Sequence, residues 1–244
     1  FSGVVGGRPQ FGNPDLGRAT IENLDLRVEW FPDRGDVVSA SGFYKQFNSP
    51  IEQVVIIGAD EALTYQNANA ARNFGTELEF RKGLGFIDPS VQDVYVQANA
   101  SFIFSRIDLG DNTGVQTNDV RALQGQSPWV INVQIGYDNP ELGINAAILY
   151  NATGPRIDEV GSFGLPDSFV LPFHQLDVVA GMDLPRGFNL GLQAQNLLDS
   201  REVLRIGDSD VVQARRPGWR LGMRLEWSMA GRDRTWGRRK PAGD

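Results

Sequence analysis

The chain alternates apolar and polar residues over one stretch after another. Across residues 20–31, Leu24, Leu26, Val28 and Trp30 alternate with Asn23, Asp25, Arg27 and Glu29. A period of two sends one set to each face of a β-strand. Across residues 94–104, Val94, Val96, Ala98, Ala100, Phe102 and Phe104 oppose Gln97, Asn99 and Ser101. Across residues 129–137, Trp129, Ile131, Val133, Ile135 and Tyr137 oppose Asn132, Gln134 and Gly136. Phe74, Thr76, Leu78 and Phe80 oppose Glu77, Glu79 and Arg81, while Ile144, Ala146, Ile148 and Tyr150 oppose Asn145 and Asn151. Leu176, Val178, Ala180, Met182 and Leu184 oppose Gln175, Asp177 and Asp183. Phe188, Leu190, Leu192 and Ala194 oppose Asn189, Gln193 and Gln195. Trp219, Leu221, Met223, Leu225 and Trp227 oppose Arg220, Arg224 and Glu226. Residues 37–47 alternate less cleanly, with Val38, Ala40, Gly42 and Tyr44 as the better face. The pattern predicts about nine strands, each of roughly ten residues, a length that crosses a bilayer at a tilt.

A water-soluble sandwich alternates too, so two further features decide. Trp30, Phe104, Trp129, Tyr137, Tyr150, Trp219 and Trp227 stand at or near strand ends on the apolar face, where aromatic girdles meet the two membrane–water interfaces. Connection lengths also alternate. Residues 32–36, 83–93, 138–143 and 185–187 make short or moderate turns, and 48–72, 106–126, 152–173 and 197–217 make long loops. Transmembrane barrels place short turns at the periplasm and long loops outside. A sandwich has no reason to do so. The predicted fold is all-β, an antiparallel up-and-down transmembrane β-barrel segment, open if alone.

Bulk properties narrow the function. A 41% hydrophobic, 22% charged chain looks soluble on average, but barrel strands need no long apolar run. No apolar run long enough for a transmembrane helix exists, and residues 1–10 carry no charged or apolar leader pattern. The absence of cysteine excludes disulfides and thiolate metal sites, and a single histidine, His174, excludes sites needing two. A net charge of −7 argues against nucleic acid as a partner. No cofactor is implied.

Several segments resemble, in order, the late barrel strands of TonB-dependent receptors. These are Asn13-Pro14-Asp15-Leu16 leading into Thr20-Ile21-Glu22-Asn23-Leu24-Asp25-Leu26, then Gly42-Phe43-Tyr44-Lys45-Gln46-Phe47 with Ser49-Pro50-Ile51-Glu52. Next come Asn73-Phe74-Gly75-Thr76-Glu77-Leu78-Glu79 and Arg121-Ala122-Leu123-Gln124-Gly125-Gln126-Ser127-Pro128. The last are Ala194-Gln195-Asn196-Leu197-Leu198-Asp199 and Arg216-Pro217-Gly218-Trp219. The resemblance implies energy-coupled uptake of an external ligand (a siderophore, vitamin, saccharide or peptide) across the bacterial outer membrane. It also implies lipid contact and coupling to the TonB complex through a plug region absent from this chain. A non-transport barrel, such as an adhesin or a structural protein, is the alternative. Residues 1–228 are expected to be the C-terminal part of the barrel, and residues 229–244, with Arg232, Arg234, Arg238, Arg239 and Lys240, a basic disordered tail.

Nine up-and-down strands cannot close antiparallel, because the first and last point the same way. An open sheet is therefore expected, with 20–31 and 219–227 as its edges and residues 1–18 as the end of an external loop. Its missing strands would lie upstream.

Candidate sites are weak. His174 with Ser168 and Asp167 supplies the residue types of a hydrolase triad, but His174 has the parity of the apolar face and reads as an interfacial residue. No catalytic role is assigned. Asp108, Asp111 and Asp119 share one loop and Asp208 and Asp210 another, without the spacing of a calcium loop. Asn151-Ala152-Thr153 forms a chance sequon. The inward charges Asp25, Arg27, Glu29, Glu77, Glu79, Arg81, Arg220, Arg224 and Glu226 mix both signs, so they can pair or line a polar passage. No residue is assigned to ligand.

Arginine at Leu26, Val133, Val178 or Leu192 is expected to cost about 2–4 kcal/mol at the bilayer midplane, and far less at Gln134 or Gln193. Folding titrations of the barrel into lipid measure this, and equal costs on both faces would overturn the assignment.

Overall fold

The computed structural model describes residues 2–5, 8–57, 61–110, 115–208 and 210–228. The basic segment 229–244, Asp111 and the side chain of Asp210 lie outside the described residues. Nine long strands form one antiparallel sheet in chain order. They are β1 (Thr20–Trp30), β2 (Val37–Asn48), β3 (Ala70–Gly83), β4 (Val94–Asp108) and β5 (Trp129–Asn139). They continue as β6 (Ile144–Thr153), β7 (Phe173–Leu184), β8 (Phe188–Gln195) and β9 (Arg220–Trp227). Among the described residues β1 forms one edge of this sheet and β9 the other, as the odd count predicts.

The register keeps the two faces apart. Leu26 lies opposite Gly42, Gly42 opposite Thr76, Thr76 opposite Phe102, and Phe102 opposite Trp129. Further along, Val133 faces Tyr150, Ile148 faces Val178, and Ala180 faces Leu192. The apolar positions of all nine strands thus share one surface. Aromatic rings gather near both ends of it. Phe74 stacks on Phe104 with centroids 5.3 Å apart, and Phe188 meets Trp227 at 6.3 Å.

The short turns are locally built. Asp88 caps the turn Pro89–Val91 by accepting from Ser90 N at 2.8 Å. Arg186 and Gly187 take positive φ values of 64° and 80° to reverse the chain between β7 and β8. Asp36 is buried in the β1–β2 turn, and its carboxylate accepts from Lys82 Nζ at 2.5 Å and Gly83 N at 3.0 Å. That joins the first turn to the end of β3.

Two expectations need correction. Strands β3 and β4 run to Ala70 and Asp108 on their outer ends, further than the alternation predicts. Their extensions are held by a buried cluster of Ala68, Ala71, Ile107 and Leu109, with Phe47 and Leu123 packed against it. The long connections are not simple solvated loops either. Ile51–Ile57 pairs with Glu61–Asn67, which meets the hairpin Ser2–Val5 and Arg8–Phe11 through Gln10 and Leu63, making a four-stranded sheet. A second four-stranded sheet joins Arg156–Glu159, Ser168–Val170, Glu202–Ile206 and Asp210–Arg215 from two different connections.

The hydrogen bond from Lys82, followed by that from Gly83, holds the Asp36 carboxyl below the ordinary carboxylate range. A depressed folded pKa contributes stability that is complete above the unfolded value and is lost as pH falls through the folded one. Acidification below the carboxylate range is expected to loosen the corner between β1, β2 and β3. Asp36→Asn should weaken that corner at neutral pH and lack its share of the acid step. Thermal unfolding followed against pH measures both, and identical pH profiles for the two proteins would reject the role of Asp36.

Candidate functional site

The polar face of the sheet is a wall of paired side chains. On β1 and β3, Arg27 lies between Glu29 at 2.6 Å and Glu79 at 2.7 Å. Ser41 donates to Glu77 at 3.5 Å, and on β9 Arg224 lies 3.6 Å from Glu226. The middle of the wall is built differently. Asn132 donates to Asn99 at 2.7 Å, and Asn151 donates to Asn132. Gln175 donates to Asp177 at 2.8 Å, and Asp177 also accepts from Asn196 N at 2.8 Å. A concavity lies over these amides, lined by Gln97, Asn99, Asn132, Gln134, Asn151 and Asp177. Beside it the Tyr95 ring covers Gly136, where an added Cβ would sit 2.2 Å from the ring. Gln134 Nε2 donates to the Tyr95 hydroxyl at 2.7 Å, and the Arg81 guanidinium stands 4.9 Å from the ring centroid.

Above the wall, the external connections lock together. Glu52, from the first connection, and Arg121, from the second, form an ion pair at 2.7 Å with side chains 9% and 3% exposed. Arg121 also donates to the Ala122 carbonyl at 3.1 Å, and its short strand Val120–Arg121 pairs with the end of β4. The third connection joins through Gln124, which donates to the Asp158 carbonyl at 2.6 Å, and Gly125, whose N–H donates to Ile157 at 2.9 Å. Asp167 is buried and accepts from Gly161 N at 2.7 Å and Asn118 Nδ2 at 3.2 Å. In the last connection Arg216 bonds Asp199 and holds its carboxyl below the ordinary range. Sequence reading passed over Glu52 and Arg121. Both stand in quoted motif segments, but no local pattern marks them as partners.

The weak candidates are placed apart. His174 Nδ1 shares a hydrogen bond with Tyr150 OH at 2.7 Å and lies beside the Tyr150 and Trp129 rings. Ser168 Oγ accepts from Glu159 N at 3.0 Å, while Asp167 holds Gly161 and Asn118. These three residues do not form a triad. Asp108 accepts from Gly110 N at 2.9 Å in its own turn. Among the described residues no carboxylate or histidine group is arranged to hold a metal ion. Asn151 of the chance sequon is spent on the wall.

A family profile for the TonB dependent receptor-like β-barrel matches residues 2–197. Comparison with curated proteins finds no match. Among solved structures, the chain is similar to the copper transporter OprC, with 17% identity and a TM-score of 0.65 over 88% of this chain and 32% of that one. It is similar to the siderophore receptor PirA from Acinetobacter baumannii, with 16% identity and a TM-score of 0.61 over 90% of this chain and 33% of that one. It is also similar to a mutant of the ferric enterobactin receptor PfeA from Pseudomonas aeruginosa, with 16% identity and a TM-score of 0.60 over 89% of this chain and 32% of that one. At these identities the likeness is one of fold. The chain spans about a third of the length of these structures.

Removing one member of a buried ion pair strands the other charge and costs about 3–5 kcal/mol. Arg121→Met alone is therefore expected to destabilise the external assembly strongly. Arg121→Met combined with Glu52→Leu should recover much of the loss. Denaturation in detergent, with protease cleavage of the external segments as local readout, measures the cycle. A loss in the double variant equal to the sum of the losses in Arg121→Met and Glu52→Leu alone would show that the two residues act independently.

Proposed function

The chain belongs to the TonB-dependent receptor-like β-barrel family, and from that premise we propose that it forms the C-terminal part of a barrel importing an external ligand. Membership makes it a component of a bacterial outer-membrane receptor rather than an enzyme. The observation that carries the transport reading is the family match over 2–197 together with a hydrogen-bonded polar wall beneath locked external sheets. Such a wall suits a polar passage around a plug. Residues 1–228 supply barrel wall and external sheets. In this reading the remaining strands, the plug and the contact with TonB belong to the rest of the receptor, and residues 229–244 are a separate basic segment. The ligand is of the siderophore, vitamin, saccharide or peptide class.

Two measurements test this. Position 165 is better suited as an external probe than Ser162, which is half-buried, because Leu165 is 62% exposed. Asn112 and Ser209, on two other long connections, lie outside the described residues. Cysteines at positions 165 and 198 of the receptor should react with a membrane-impermeant thiol reagent on intact cells. Cysteines at Arg34 and Arg186 should react only after the outer membrane is opened, and the reverse result would invert the topology. For transport, cells lacking the receptor and cells depleted of TonB should lose accumulation of the same compound from a mixed panel of iron chelates, cobalamin, oligosaccharides and peptides. Loss of adhesion with uptake of the whole panel intact would overturn the transport reading.

A further inference from the structure

Strands β3 and β4 continue outward past their stacked phenylalanines on the apolar face. Phe74 lies opposite Phe104, and two residues further out Arg72 lies opposite Arg106. That is about 7 Å along the strand. Both arginines are exposed. Like charges in directly opposed positions repel each other, so the arrangement calls for an anion. Arg72 Nε donates to Gln46 Oε1 at 3.1 Å, and Tyr44 OH donates to the same oxygen at 3.0 Å. Gln46 thus fixes one guanidinium. Among the described residues, Arg106 has no hydrogen-bond or ion-pair partner. Glu22 and Asp108 share this face but form no ion pair with either arginine, and Asp108 is turned to Gly110 N.

Toward the membrane from these arginines lies an apolar groove of about 450 Å³. Leu24, Leu26, Phe74 and Phe104 wall it, and the small residues Gly42 and Thr76 leave room between them. A cationic pair above an apolar groove matches an amphiphile with an anionic head. Guanidinium groups bind phosphate oxygens through paired, charge-assisted hydrogen bonds.

We propose that this face is a binding site for a phosphorylated lipid of the outer leaflet, its phosphate held between Arg72 and Arg106 and an acyl chain in the groove below. The proposal rests on the outer-membrane reading of the chain. A free phosphate ion would use the arginines alone. A lipid uses both parts, and their contiguity favours it.

The test uses the whole receptor purified in detergent from outer membranes, with co-purified lipopolysaccharide measured by native mass spectrometry. The double variant Arg72→Gln, Arg106→Gln should carry about tenfold less lipopolysaccharide or lower, for loss of the charge-assisted bonds. Gly42→Leu should also lower it, because a Cβ there meets only the Gly75 carbonyl at 3.9 Å and the longer side chain fills the groove. Arg201→Gln, at an exposed external arginine elsewhere, should leave the lipid bound. Heat-modifiable gel mobility shows that each variant is folded. Undiminished lipid in either the arginine or the glycine variant would overturn the site, as would displacement of the lipid by millimolar inorganic phosphate. Failure of the receptor to fractionate with the outer membrane would instead remove the functional reading beneath it.

Discussion

Hydrocarbon offers no hydrogen-bond partner, so every backbone N–H and C=O crossing the bilayer has to be satisfied by a neighbouring strand. The rest of this structure follows from that requirement. The ladder from β1 to β9 runs in chain order, and opposed residues stay in phase from one strand to the next. Because side chains alternate, a slip of one residue between β3 and β4 would carry Glu77 and Glu79 to the lipid face. The pairing therefore fixes which residues meet hydrocarbon and which form the polar wall. Among the described residues β1 and β9 each have a partner on one side only, so the requirement remains open at those two edges.

Outside the apolar band water is available, and the constraint changes. There the chain gains from burying side chains rather than from satisfying its backbone against lipid. Ala71 and Ile107 on the outer ends of β3 and β4 pack with Ala68 and Leu109, and the Glu52–Arg121 pair crosses from one connection to the next beside them. A buried ion pair adds little net stability over an apolar pair, but it tolerates only a narrow geometry. Its effect here is to set how the first two connections meet. With Gln124 and Gly125 reaching the third connection, the external face is preorganised.

The inner wall divides into regions of different chemistry. Around β1 and β3, opposite charges neutralise one another within hydrogen-bond distance. Across β4 to β7 the chemistry is mainly neutral amides. Amides can exchange partners with a passing polar group without stranding a net charge, whereas opening the Arg27–Glu79 pair would leave two. The amide stretch is thus the part of the wall that can accommodate changing contacts at low cost.

Much of this was legible in the order of residues. Alternation such as Leu24 to Trp30 against Asn23 to Glu29 marks a strand and its two faces within about ten residues. The alternation of short turns and long loops and the odd strand count agree with an antiparallel sheet whose first and last strands are its edges among the described residues. What could not be read depended on partners distant in the chain. Ser168–Val170 is too short to show a period, and it is a strand because Ile206, Arg205 and Leu204 lie beside it. The outer ends of β3 and β4 carry no clean alternation and are ordered by the cluster they enclose. Glu52 and Arg121 are 69 residues apart, and neither has a neighbour in sequence that announces the other. Likewise Arg72 and Arg106 become a pair only through the β3–β4 register. Local alternation determined the strands, because period and face depend on nearest neighbours alone. Tertiary structure decided the external sheets and the charge pairs, because those energies exist only once distant segments are in contact.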